Sequence, residues 1–290
     1  MTSPTGPVAG IVLAGGRSSR MGESKAALEW HGSTLLRRTA GLLARARDNP
    51  ADPGPIVVVA APGQELPDLP PGVEVVTDPV EGRGPMQGIA TGLAAVAERA
   101  PVAFVCSTDL PFLHTTFVRR VLRELTPDLD VVLPVARGFP QPLAAAYRTT
   151  LAPRVVELIA QGRMRPAMLF DQVRVHRMDG GALLADAALA AADPALDSLL
   201  NVNEPDDYAE ARRRPGPEIV VQRYGALASN GHRGPGRVRA ATLGGAAAAV
   251  DLRLDRHVVA ALNGDQITRD PDLPLVTGDT VAFLSADADG

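Results

Sequence analysis

Short apolar runs that alternate with segments of helical spacing constrain this chain more than any other feature of its sequence. V-A-G-I-V-L (8–13), P-I-V-V-V-A-A (55–61) and V-A-F-V-C-S-T-D (102–109) are apolar at successive positions, as strands covered on both faces are. From about Ser33 to Arg47, Leu35, Leu36, Thr39, Leu42 and Leu43 recur on one helical face. Gly88 to Arg99 and residues 115–125 read as further helices, V-E-V-V-T-D (73–78) as a short strand, and strands are predicted near 131–135 and 142–147. Such alternation predicts an α/β fold whose mostly parallel sheet carries helices on both faces. In an open sheet of that kind, ligands gather beyond the carboxyl ends of the strands.

The alternation stops at R-R-R-P-G-P (212–217), which has the composition of a linker. Beyond it, E-I-V-V-Q-R-Y-G (218–225) reads as a strand, 242–250 as a short helix, H-V-V-A-A-L-N-G (257–264) as a strand meeting an Asn-Gly turn, and T-V-A-F-L-S (280–285) as a last strand. The expected organisation is therefore a domain over 1–211, a linker at 212–217 and a small α+β domain over 218–290. The Ala-rich segment 182–196 reads as helix and loop.

Composition excludes several classes of function. The net charge is −4, and the arginine clusters (Arg37-Arg38, Arg119-Arg120, Arg212 to Arg214) are scattered, so no basic field points to nucleic acid. Cys106 is the single cysteine, which excludes an intrachain disulfide and a multi-cysteine zinc site. The five histidines show no ligand-like spacing. No 18-residue apolar run suggests a membrane span, and residues 1–7 lack the charged start of a signal peptide, so a soluble cytoplasmic protein is expected. With 46% hydrophobic but 3% aromatic residues, alanine, valine and leucine must fill the cores.

Chemistry concentrates in L-A-G-G-R-S-S-R-M-G-E-S-K (13–25), which follows the first strand directly. Lys25 is the only lysine among 29 basic residues, a compact point charge in a chain that otherwise uses the planar guanidinium. A strand, a glycine-rich turn and a helix can present backbone amides to phosphate oxygens. The spacing is not that of the ATPase loop, nor of the dinucleotide fingerprint. An ordinary βα turn is the competing reading; Arg17, Arg20 and Lys25 favour an anion. Asp109 ends its strand where such a crevice would lie. A carboxylate facing phosphates makes sense with Mg²⁺ between them, and capping of the next segment is the alternative.

These two motifs together closely resemble the signature of the molybdenum cofactor guanylyltransferase family, within the broader nucleotidyltransferase group. The resemblance continues through V-V-T-D-P (75–79), G-P-M-Q-G-I (84–89), C-S-T-D-L-P-F (106–112) and L-N-V-N-E-P-D-D (200–207), and covers about residues 8–211. It implies a Rossmann-like nucleotidyltransferase fold and Mg²⁺-dependent transfer of GMP from GTP to the phosphate of the molybdenum-pterin cofactor. It also implies contacts with other proteins of that cofactor's pathway or with acceptor proteins. By the same resemblance Leu13, Ala14, Gly15 and Gly16 border the nucleotide, Arg20 and Lys25 neutralise the triphosphate, and Asp78 with the loop at Gly84 and Pro85 lies on the base and ribose side. Asp109 holds the metal, Asn201 and Asn203 lie near the metal or the pterin phosphate, and Arg165, in G-R-M-R, meets the pterin. Ala60 stands where relatives can carry an asparagine near the base, which leaves cytidylyl transfer open beside guanylyl transfer. A non-catalytic cofactor-binding scaffold is the alternative of another class.

The second domain resembles the β-grasp, ubiquitin-like sulfur carriers through L-N-G-D-Q-I (262–267), P-L-V-T-G-D-T-V-A-F-L (274–284) and the terminal Gly290. Such carriers end in Gly-Gly, whereas Asp289 precedes Gly290 here. An active carrier and a degenerate module kept for interaction are both open on the sequence.

Overall fold

The computed structural model describes residues 6–15, 24–46, 54–80, 82–228 and 234–286. Along the chain stand β1 (Val8–Leu13), β2 (Glu29–Trp30), β3 (Ser33–Thr34), α1 (Leu35–Arg45), β4 (Ile56–Ala60), β5 (Val73–Thr77) and α2 (Pro85–Val96). There follow β6 (Val102–Ser107), α3 (Thr115–Arg123), β7 (Val131–Ala136), β8 (Phe139–Pro140), β9 (Ala144–Arg148), α4 (Ala152–Ala160), α5 (Pro166–Phe170) and β10 (Val175–Met178). The helices α6 (Gly180–Leu184), α7 (Ala187–Ala192) and α8 (Pro205–Arg213) precede β11 (Glu218–Arg223), β12 (Gly236–Arg239), α9 (Leu243–Ala248), β13 (Val258–Leu262), β14 (Gln266–Thr268) and β15 (Thr280–Ser285). The chain divides into two compact units, Met1–Leu28 with Thr34–Tyr208, and Glu29–Ser33 with Ala209–Gly290.

In the first unit the strands lie in the order β10-β7-β9-β6-β1-β4-β5, with β8 paired to β7. The pairs β10–β7, β6–β1, β1–β4 and β4–β5 are parallel. Strand β9 runs against both β6 and β7, so the sheet is mostly, not wholly, parallel. The cause is connection length. A parallel partner needs a crossover of a dozen or more residues, and only seven separate β7 from β9.

Alternate residues of each strand serve opposite faces. Ile11, Val59, Val105 and Leu133 join Ile89 and Leu93 of α2 and Val155 and Leu158 of α4 in one core. On the other face Phe104 meets Phe117 of α3 edge-on, with ring centroids 6.4 Å apart. Helix α1 lies on that same side, where a Cβ on Gly10 would stand 3.0 Å from Leu43. Thr34 caps α1 by accepting the Arg37 amide at 3.2 Å. Helix α2 begins three residues before the periodicity predicted, because Pro85 suits the first helical turn and Gly84, at φ 74°, makes the entry bend.

The second unit holds a five-stranded sheet in the order β12-β11-β15-β13-β14. The central pair β11–β15 is parallel and the remaining pairs are antiparallel. Ile219, Val221, Leu262 and Phe283 from the strands pack with Leu243 and Ala247 of α9. The segment Glu29–Ser33, which holds β2 and the start of β3, belongs to this unit. Its Trp30 is buried and donates from Nε1 to the Ala211 carbonyl at 3.1 Å, and His31 Nε2 donates to the Arg214 carbonyl at 2.8 Å. Both carbonyls lie at the end of α8, where a helix leaves acceptors unsatisfied. Glu29 pairs with Arg212 at 2.8 Å. Among the described residues no helix is long and apolar enough to cross a membrane.

Candidate functional site

The site is built at the carboxyl end of β6, where the backbone leaves the sheet through the buried Ser107 and Thr108. Asp109 is anchored twice. Its carbonyl accepts the Val202 amide at 2.9 Å, and its carboxylate is held by three side chains. Ser107 Oγ donates a short hydrogen bond to Oδ1, Asn201 Nδ2 donates to the same oxygen at 3.2 Å, and Lys25 Nζ approaches Oδ2 at 3.4 Å. Lys25 Nζ also donates to Asn203 Oδ1 at 3.1 Å.

The N-V-N element makes this possible through simple alternation. In an extended segment neighbouring side chains point to opposite sides. Val202 is therefore buried while Asn201 and Asn203 both reach the Asp109–Lys25 pair. Asp207 accepts the amides of Asn203 and Glu204 at 2.9 and 3.0 Å, fixing the segment as it enters α8. Residues 25, 109, 201 and 203 thus form one hydrogen-bonded network across 178 positions of sequence.

The loop after β1 is held next to it. The amides of Ala14 and Gly15 both donate to the Val59 carbonyl, at 2.9 and 3.2 Å. Gln64 clamps the same loop with both ends of its amide, donating to the Ala14 carbonyl and accepting from the Ala61 amide, each at 2.9 Å. Asp78 leaves β5 beside the end of β4, its amide donating to the Ala60 carbonyl at 2.8 Å. Its carboxylate accepts from Thr91 of α2 at 2.7 Å. Burial raises the Asp78 carboxyl above the ordinary aspartate range, against the opposing pull of the Thr91 hydroxyl. Gly84 and Pro85 stand exposed at the start of α2.

Leu13, Ala14, Gly15, Asp78, Lys25, Asp109, Asn201 and Asn203 therefore cluster at or beside the carboxyl ends of neighbouring strands. Arg165 is exposed at the head of α5, and no hydrogen bond or ion pair joins it to the other described site residues. Gly16, Arg20 and Gly290 lie outside the described residues. The sequence reading missed Ser107, Gln64 and Thr91. Only Ser107 had a signal: two residues before Asp109 in a strand, it shares the same face. Burial, reinforced by the Asp109 charge, pushes the Cys106 thiol far up, so it stays protonated and is no nucleophile. Among the described residues no three of His, Cys, Asp or Glu group as metal ligands.

Residues 10–177 match the family model described as the MobA-like NTP transferase domain. The chain belongs to the MobA-like NTP transferase family. A probable molybdenum cofactor guanylyltransferase of Mycobacterium tuberculosis is 42% identical over 171 residues, which cover 58% of this chain and 81% of that protein. Its counterpart in Mycobacterium ulcerans is 39% identical over 194 residues, 65% of this chain and 92% of the relative. The crystal structure of molybdopterin-guanine dinucleotide biosynthesis protein A from Archaeoglobus fulgidus superposes with a TM-score of 0.51 at 23% identity, over 70% of this chain and 96% of that one. That likeness shows the α/β nucleotidyltransferase fold. This MobA-like chain is a nucleotidyltransferase, and Asp78 and Asp109 fall within its matched segment while Asn201 and Asn203 follow it.

Proposed function

We propose that this chain transfers GMP from GTP to the terminal phosphate of the molybdenum-pterin cofactor. The observation that carries the proposal is the Lys25–Asp109–Asn201–Asn203 network at a strand end. The choice of GTP and of the acceptor rests on relatives named as probable molybdenum cofactor guanylyltransferases.

In this reading an oxygen of the acceptor phosphate attacks the α-phosphorus of GTP. The new P–O bond forms as the bond from the α-phosphorus to the α,β-bridging oxygen breaks, and that electron pair leaves with pyrophosphate. The attacking phosphate is already anionic and asks for no base, which accords with a Cys106 thiol kept neutral. The protein's work is positioning and charge neutralisation. Lys25 supplies a fixed positive charge for the phosphates, and Ser107 and Asn201 orient the Asp109 carboxylate. Among the described residues, a single carboxylate among amide and hydroxyl groups fits Mg²⁺, which takes one or two protein carboxylates and completes its shell with substrate phosphates and water. Asp109 would hold the ion, whose chemistry there is to neutralise charge on the reacting phosphates.

Pyrophosphate release from the purified chain with Mg²⁺ and molybdenum-loaded pterin, comparing GTP, CTP and ATP, tests the proposal. Release with GTP alone supports it. Release with CTP alone keeps the reaction and changes the base, the outcome that Ala60 at the end of β4 leaves room for. Folded protein inert with every nucleotide defeats it.

For the second unit we propose a β-grasp module of the sulfur-carrier type. Its support is the strand order β12-β11-β15-β13-β14 with the two ends of the module, β11 and β15, paired in parallel. Gain of sulfur mass at Gly290 on co-expression with an activating enzyme makes it an active carrier; no gain leaves a module for interaction.

A further inference from the structure

Strand β6, which ends at the Asp109 network, has a different neighbour on each side: β1, carrying the glycine loop, and β9. The nucleotide residues of the proposed function lie on the β1–β4–β5 side. The acceptor is left the β9–β7 side, and what stands there is an arm.

Strand β9 keeps to β6 only as far as Ala144 opposite Cys106, with the Ser107 amide reaching the Leu143 carbonyl at 3.3 Å. The chain between Gly138 and Ala144 runs on past this point, so the turn stands at most about 20 Å beyond the sheet's edge. The arm is stiff. Val135 pairs with Pro140 and Ala136 with Phe139, and the Gln141 amide closes on the Pro134 carbonyl at 2.8 Å. Gln141 Nε2 holds the Phe139 carbonyl at 3.1 Å. Arg137 and Gly138, at φ 51° and 82°, make the tight left-handed turn that a two-residue hairpin requires.

At this tip Phe139 is 71% exposed, the most exposed large apolar side chain among the described residues. A phenyl ring kept in water on a rigid arm, with the exposed Arg137 on the same turn, has the composition of a stacking platform for a flat polar ring. The geometry points to Phe139, with Arg137, as the platform on which the acceptor's pterin ring stacks, on the side of Asp109 away from the glycine loop. This rests on the proposed reading of the acceptor.

The test varies acceptor at saturating GTP, and GTP at saturating acceptor, for the wild-type chain, Phe139→Ala and Phe139→Trp. Phe139 is exposed, so neither variant threatens the fold. Phe139→Ala should raise the acceptor KM on the order of 5- to 100-fold, leave the GTP KM unchanged, and leave the sedimentation coefficient unchanged. Phe139→Trp should restore the acceptor KM. An unchanged acceptor KM, an equal rise for both substrates, or a change of oligomeric state would overturn the assignment, the last making the arm a contact between copies. Should the wild-type chain release no pyrophosphate at all, the proposed function fails separately. Quenching of pterin-6-carboxylic acid fluorescence then reads the platform directly: quenching lost in Phe139→Ala supports it, and equal quenching by both proteins overturns it.

Discussion

At the scale of single residues, the site depends on groups whose roles differ even where their charge does not. Lys25 Nζ reaches Asp109 and Asn203 from one point, at 3.4 and 3.1 Å. A guanidinium spreads its donors over a planar fork and cannot occupy that point. Lys25→Arg should therefore lose nearly as much pyrophosphate release as Lys25→Ala, on the order of 10²- to 10³-fold, with circular dichroism unchanged for both. Asp78 carries a second prediction. Burial raises its carboxyl above the usual range, so between the unfolded and the folded values the folded chain holds a proton that the unfolded chain has released. Stability should fall as pH rises from about 3.9, the unfolded aspartate value, through the raised folded value, and stay level above it. Urea unfolding of Asp78→Asn should lack that fall and show a gain over wild type at neutral pH. Of these residues Lys25, Asp78 and Asp109 were legible in the sequence, because motif and strand end marked them. Gln64 was not: it sits in a Pro- and Gly-rich loop, and only the fold brings the Ala14 carbonyl to its amide.

At the scale of elements, helix α2 illustrates how closely the layers must approach. A Cβ on Gly92 would fall 2.5 Å from Cγ2 of Ile11, in the middle of β1. Gly92→Ala improves helix propensity by about 1 kcal/mol, yet the overpacking costs about 1–3 kcal/mol. A lower urea midpoint is the expected result. The central strands were legible because apolar runs buried on both faces leave few alternatives, and β1, β4 and β6 all fall inside the predicted runs. The direction of β9 was not read, since periodicity reports which side chains are buried and carries no sign for the chain's direction. R-G-F-P-Q (137–141) held the missing information: too short for a crossover, and a turn by composition. The segments of α4, α5 and β10 carry no marked alternation, so periodicity does not announce them.

At the scale of the whole chain, the second unit is assembled from segments far apart in sequence. The hairpin at 29–33 meets the end of α8 through the Ala211 and Arg214 carbonyls and the Glu29–Arg212 pair. A chain ended after Arg214 keeps these partners, and one ended after Tyr208 loses all of them. The shorter chain should unfold at a lower temperature, the two lost hydrogen bonds alone contributing about 1–3 kcal/mol, as thermal melts of both would read. No sequence signal announced this pairing: E-W-H-G-S-T (29–34) looks like a plain turn, and residues 212–217 have the composition of a linker. The arrangement also has a consequence in time. Trp30 is made early, but the carbonyl that receives its indole belongs to Ala211, about 180 residues later, a wait on the order of 10 to 35 s at the usual pace of synthesis. During that interval the nascent chain carries its one tryptophan without its partner, and only translation of the last third of the protein brings the two together.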